Sequence, residues 1–219
     1  HIMEEGGEPV LTDLMDFFLY CLLDPVYLWR HMGGKAFPAF SNWLLIKRIE
    51  SLRDAMRRAL EGSRFLPVSR IADLARSVRG IVSTGNQAGE GWLLTAEMLE
   101  LIDHGVGNVL CLQPFGCLPN HITGKGVLKE LKRIRPHANL MAVDYDPGSS
   151  EANQLNRIKL FMTVAHSRIP QEAQGDHAPA SLNESVAQLA GRLRDNLKGK
   201  LENTIGGSGN SGDEVTNLA

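Results

Sequence analysis

The run Cys111 to His121, CLQPFGCLPNH, concentrates the residues of this chain that could do chemistry. It follows the apolar pair Val109-Leu110, which reads as a buried strand, and Pro114, Gly116 and Pro119 shape a tight loop. Cys117 is therefore expected just past the C-terminal end of a strand, the edge where ligands bind in open α/β sheets. A thiol held there by stiff backbone suits a metal or cluster ligand; the bland alternative is packing. Cys111, within the strand, is a second thiol that could serve as a ligand or fill the core. The gap between the two differs from the zinc-knuckle and common ferredoxin spacings. Cys21, inside an apolar helix, reads as core filler.

Two further polar loops join this one if the sheet is parallel. Gly85 to Gly91, GNQAGEG, offers Asn86, Gln87 and Glu90 to part of a substrate, or serves only as a turn with capping roles. It lacks the lysine-serine ending of a phosphate loop and the dinucleotide pattern, so no ATP hydrolysis is expected of this chain. The central loop adds Asn120 and His121, with a helix cap as the plain reading of His121. Asp144 and Asp146 end the next strand, before Pro147-Gly148; they could bind a metal or part of a cofactor, or make a turn.

The elements that position these loops follow from periodicity. Strands are expected near 8–12, 80–83, 108–112 and 139–143, with helices at 92–103, 122–134 and 150–164. Strand–helix alternation after residue 80 predicts an α/β fold with a doubly wound, mainly parallel sheet. Right-handed crossovers then put the loops after residues 83, 112 and 143 on one edge. Residues 14–78 read as a helical insertion. Leu14 to Met32 is broken at Asp24-Pro25 and stopped by Gly33-Gly34. Phe40 to Leu60 carries an apolar stripe, Trp43, Leu44, Ile46, Ile49, Leu52, Met56 and Leu60. Its basic face, Lys47, Arg48, Arg53, Arg57 and Arg58, reads as solvated. Val68 to Val78 is a further helix.

The expected organisation is a vector remnant and fragment start at 1–7, a Rossmann-like domain at 8–168, a linker with a peripheral polar helix at 169–205, and a disordered tail at 206–219. The chain has 219 residues, 43% of them hydrophobic, and a net charge of −2, which supports neither nucleic acid nor a charged membrane surface as partner. The apolar stretch Leu11 to Trp29 contains Asp13, Asp16 and Asp24, so it makes a poor membrane span. Three cysteines, an odd number, fit a reducing cytoplasm rather than a disulfide framework.

GNQAGEGWLLTAEMLELIDHGVGNVLCLQPFGCLPNHITGKGVLKELKR, VDYDPGSSEANQLNRIKLFM and the upstream LMDFFLYC together resemble the C-terminal, dehydratase-like region of large acyl-CoA dehydratase activase-like proteins. The resemblance covers roughly residues 8–165. It implies a 4Fe–4S cluster held by cysteines of successive α/β domains, in the 2-hydroxyacyl-CoA dehydratase manner, with an activator that drives in one electron using ATP. Cys117 matches a cluster cysteine of the last domain. Asn153 to Phe161, NQLNRIKLF, matches the family's closing helix and places Gln154 and Arg157 in its pattern. The implied partners are activator-type ATPase domains of the parent chain and an acyl-CoA or redox partner. The other cluster cysteines of the family lie in an earlier domain that is not in this sequence, and Cys21 does not obviously replace them. Two readings stand: an iron–sulfur redox module, or a non-catalytic docking domain that kept the dehydratase fold.

Overall fold

The computed structural model describes residues 1–63, 65–146, 148 and 150–168, together with 191, 194, 195 and 198. The chain divides into two compact units, His1–Phe17 with Asp73–Asp176, and Phe18–Ala72 with His177–Ala219. The expected linker at 170–179 and the tail at 206–219 lie outside the described residues. Of the polar helix expected at 182–203, residues 191, 194, 195 and 198 are described, and each is helical.

The first unit is mixed helix and strand, built on a two-stranded parallel sheet. β1 (Asn108–Gln113) pairs with β2 (Asn139–Asp144) in register from Asn108↔Asn139 to Gln113↔Asp144. Both strands are short apolar runs, and the helix between them supplies the crossover that a parallel pair requires. Side chains alternate across the sheet. Val109, Cys111 and Gln113 are buried on one face, where α4 (Gly91–Asp103) packs through Leu94. Leu110 and Met141 point to the other face, against Ile158, Phe161 and Met162 of α6 (Glu151–Ser167). α4 stops at Gly105, whose φ of +90° suits the left-handed turn that ends a helix.

Neither 8–12 nor 80–83 forms a strand. Ile81 and Val82 donate their amides to the carbonyl of Val78, so the end of α3 (Ile71–Ser77) winds on into turns that consume those donors. Residues 8–12 form neither helix nor ladder.

The second unit, among its described residues, is helical. α1 (Leu14–Met32) starts in the first unit and is one helix, not two. Pro25 removes only the hydrogen bond to Cys21, and Cys21 is exposed rather than in the core. The helix stops at Gly33, with φ +68° and Gly34 N donating to Leu28 O at 2.9 Å. α2 (Ala36–Leu60) buries Ala39, Ile46, Glu50, Arg53, Ala55 and Ala59, while Leu44, Leu52 and Met56 are exposed. The expected stripe is therefore displaced, and two charged residues lie inside. The Glu50 carboxylate explains the displacement. It accepts from Arg53 (3.3 Å), Arg57 (2.6 Å) and the Ile71 amide (3.0 Å). The last bond satisfies the first free amide of α3. Buried charge of this kind is tolerated when each group is hydrogen-bonded. No described helix is long and apolar enough to cross a membrane.

Candidate functional site

The loop after β1 carries the thiol. Cys117 is half-buried. Gly116, at φ +75°, lets the chain reverse just before it. The Cys117 amide donates to Pro114 O at 3.2 Å, and its Sγ donates to Asn120 Oδ1 at 3.4 Å. Its carbonyl accepts from the His121 amide at 3.0 Å and lies 2.9 Å from His121 Nδ1. His121 lies within the following turn and holds the cysteine backbone from both its ring and its amide.

The helix expected from Ile122 is not regular. Asn120–Gly124 is a π-helical turn, Lys125–Val127 a 3-10 turn, and α5 proper is only Leu128–Ile134. Side-chain bonds support the wide turn: Thr123 Oγ1 donates to Pro119 O (2.9 Å), and Thr95 Oγ1 of α4 donates to Thr123 O (2.6 Å). Such turns are frequent at functional sites. Gly124 is required by packing. A Cβ there would lie 2.9 Å from both Cys111 Sγ and Leu94 Cδ2.

The central loop touches both of the others. Gly89, at φ +60°, passes so close to Pro119 that a Cβ would fall 2.9 Å from Pro119 Cγ. On the other side, Phe115 N donates to Asp146 Oδ2 at 2.7 Å, and Gln113 Nε2 donates to Asp144 Oδ1 at 2.6 Å. The hydrogen bond from Gln113 holds the Asp144 carboxyl below its ordinary value, helped by the charges of Lys125, His121 and Arg157. Gln154 Nε2 reaches Asp146 O at 3.4 Å, and Arg157 Nη1 donates to Ala142 O at 3.2 Å. Phe115, Asp144, Asp146, Gln154 and Arg157 line an open groove of about 780 Å³.

Asn86 and Gln87 use their side chains within their own loop. Asn86 Nδ2 donates to Ser83 O (3.2 Å) and Gln87 Nε2 to Thr84 O (2.7 Å), as turn residues do. Glu90 is exposed. Cys111 sits in the core between Leu94 and Gly124, and burial, with the charges of Glu90 and Glu97, pushes its thiol up to about 11. Among the described residues no group of three or more His, Cys, Asp or Glu could hold a metal ion. Gln113 and Lys125 belong to this edge and were not expected. A glutamine closing an otherwise apolar strand, on the face that also carries Cys111, is the signal that could have found the first.

No family model, no curated protein and no solved structure matches the chain.

Proposed function

We propose that this chain is a dehydratase-like iron–sulfur module of an ATP-dependent acyl-CoA dehydratase activase-like protein. On this reading the two described strands belong to a doubly wound, mainly parallel sheet, and Cys117 contributes one ligand to a 4Fe–4S cluster. The observation that carries it is the placement of Cys117, half-buried beyond the C-terminal end of β1 on a loop fixed by His121 and Asn120. Such clusters take thiolates, and a cluster there would supply one-electron transfer. The donor set fits one corner of a cluster. Cys111 is left out of it: its sulfur is buried against the Gly124 backbone, and burial, which raises its thiol to about 11, disfavours the thiolate a cluster takes. The remaining ligands come from another domain of the intact protein.

The same loop supports a second reading, a docking domain that recruits the activator ATPase or an acyl-CoA partner. Phe115, Leu118 and Ile122 are 79%, 68% and 52% exposed around Cys117, an apolar rim suited to a protein surface. Iron and acid-labile sulfide in the intact protein, purified without oxygen, separate the two. Stoichiometric iron that falls on changing Cys117 supports the redox module. Absence of iron, with partner binding retained, overturns it in favour of docking.

A further inference from the structure

The end of the α1–α2 hairpin is left to solvent. Only Gly33–Lys35 separates the two helices, and the turn is tight: a Cβ on Gly34 would lie 2.8 Å from Trp29 N. From Leu28 to Phe37 every residue except Gly34 is exposed. What this end shows is large and apolar. Trp29, Met32, Phe37 and Phe40 are 49%, 71%, 81% and 61% exposed, and Leu44 and Leu45 continue the surface along α2. Phe40 stacks on Trp43 with ring centroids 6.0 Å apart, which joins the aromatic side chains into one block. Exposed apolar clusters of this kind mark interaction sites.

Charge and shape together select what covers it. Between Asp24 and Glu50 the sequence has no carboxylate, but it has Arg30, Lys35, Lys47 and Arg48. Glu50 is buried and held by Arg53 and Arg57, so it offsets none of these. Arg30, Lys35 and Arg48 are exposed and have no side-chain partner among the described residues. Lys47 Nζ stands 5.9 Å over the Trp43 ring. The net charge of −2 averages this local excess away. A second copy docked through the same face would set these cations against their own copies, so the complement is an anionic surface. Phe40 and Leu45 are five residues apart, about 140° around the helix, and Trp29 and Met32 add the end of α1. The apolar groups therefore face several directions instead of forming one stripe. A groove of another protein receives a stripe, whereas the fluid boundary of a bilayer closes around a tip. Aromatic and aliphatic side chains interspersed with lysine and arginine suit that boundary, and the long cationic stems reach back to the phosphates.

We propose that the end of the α1–α2 hairpin, residues 28–48, is a peripheral anchor for an anionic lipid surface. Trp29, Met32, Phe37 and Phe40 enter the headgroup boundary, and Arg30, Lys35 and Arg48 meet lipid phosphates. The insertion is shallow, in keeping with the absence, among the described residues, of a helix long and apolar enough to cross. The anchor lies within the second unit and holds whether or not the chain carries a cluster.

Flotation of the full chain with vesicles tests it. Phosphatidylcholine vesicles with about a third phosphatidylglycerol should bind at least roughly tenfold more tightly than phosphatidylcholine alone, and high salt should erase the difference. Tryptophan emission should shift to the blue on binding, through Trp29 and Trp43, because Trp92 is already buried at 1% exposure. Met32→Ser with Phe37→Ser should weaken binding to the anionic vesicles about tenfold. Both side chains are largely in solvent, so the fold should survive, which circular dichroism checks. Lys35→Glu with Arg48→Glu, the second variant should the first not fold, should abolish the preference for anionic lipid. Equal binding to the two vesicle types, or an unchanged affinity in whichever variant folds, overturns the proposal. Binding to neither type also overturns it and gives the face to a protein partner. A dimer in sedimentation velocity that Met32→Ser with Phe37→Ser breaks overturns it in favour of a second copy.

Discussion

Gln113 and Asp144, the last register partners of the parallel pair, are joined side chain to side chain, Nε2 to Oδ1 at 2.6 Å. The bond ties together the two strands whose loops form the candidate site. Gln113 is 1% exposed, and its other amide atom, Oε1, has no hydrogen-bond partner. A buried unmet acceptor costs about as much as one hydrogen bond returns, so this glutamine does little for stability and much for the position of Asp144.

Gln113→Leu should therefore change stability at pH 7 by no more than about 1 kcal/mol. It should move the Asp144 carboxyl up toward its ordinary value, since the hydrogen bond is the main cause of its depression. The sign of the pH effect follows. A depressed carboxyl contributes stability above its unfolded value and loses it as pH falls through the folded one. Urea midpoints taken from neutral to acid pH should fall less steeply in the variant, and carbon NMR of Asp144 should show the raised titration. An unshifted Asp144 would mean that Lys125, His121 and Arg157 set its value alone.

Gly124→Ala should destabilise the first unit by about 1–3 kcal/mol, the usual cost of overpacking. The new methyl would meet Cys111 Sγ and Leu94 Cδ2, each 2.9 Å away. Cys111→Ala removes one obstacle, so the double variant should be less destabilised than the sum of the singles. A urea-unfolding double-mutant cycle measures the difference; strict additivity would show that the two positions do not press on each other.

The parts of the site that could be read from sequence are those encoded locally. Val109 to Leu112 and Leu140 to Val143 are apolar runs bounded by polar residues, and they form the two strands, in parallel, with the loops of Cys117 and Asp144 side by side. Pairing partners are not encoded locally. Pro9 to Thr12 and Ile81 to Ser83 have the composition of strands, yet one finds no ladder and the other gives its amides to the preceding turn. The wide turn at Asn120–Gly124 was hidden for a related reason. Leu128 and Leu131 extend a helical pattern backward, but the irregular winding is set by Thr95, 28 residues away in sequence, and by the space Gly124 leaves for Cys111. On α2 the stripe was legible but its burial was not, because one carboxylate, Glu50, gathers Arg53, Arg57 and the start of α3.

Glu97→Gln should stabilise the protein at pH 8 and matter less near pH 5. The folded value, about 7, lies above the ordinary 4.5, so the folded state holds a proton that the unfolded one has released between those values. Stability linked to this group is therefore full below about 4.5 and lost as pH rises to about 7. The gain from the amide should be on the order of 1–3 kcal/mol at pH 8. Denaturant titrations at the two pH values check it; a gain of equal size at both would place the effect in packing or hydrogen bonding rather than in charge.

Cys117→Ser should lower the iron content of the intact protein under anaerobic reconstitution, or shift its visible spectrum, while Cys21→Ser and Cys111→Ala should not. Cys21 lies exposed on α1 and does not match the cluster cysteines of the resembled family, and the Cys111 sulfur is buried against Gly124. Asn120 gives a second arm. It is 5% exposed and meets Cys117 Sγ at 3.4 Å. That bond uses the thiol proton, which ligation removes; with its amide turned, Asn120 Nδ2 would donate to the ligating sulfur, and hydrogen bonds of that kind tune cluster potentials, so Asn120→Ala should shift the midpoint potential without removing iron. On the proposed reading the 219-residue chain supplies one of the four thiolates a cluster needs, so its fold should not depend on metal. Its thermal unfolding with and without a chelator should coincide. A large loss of stability on chelation would show a complete metal site in this chain and would overturn the assignment of Cys117 as one ligand among several supplied from elsewhere.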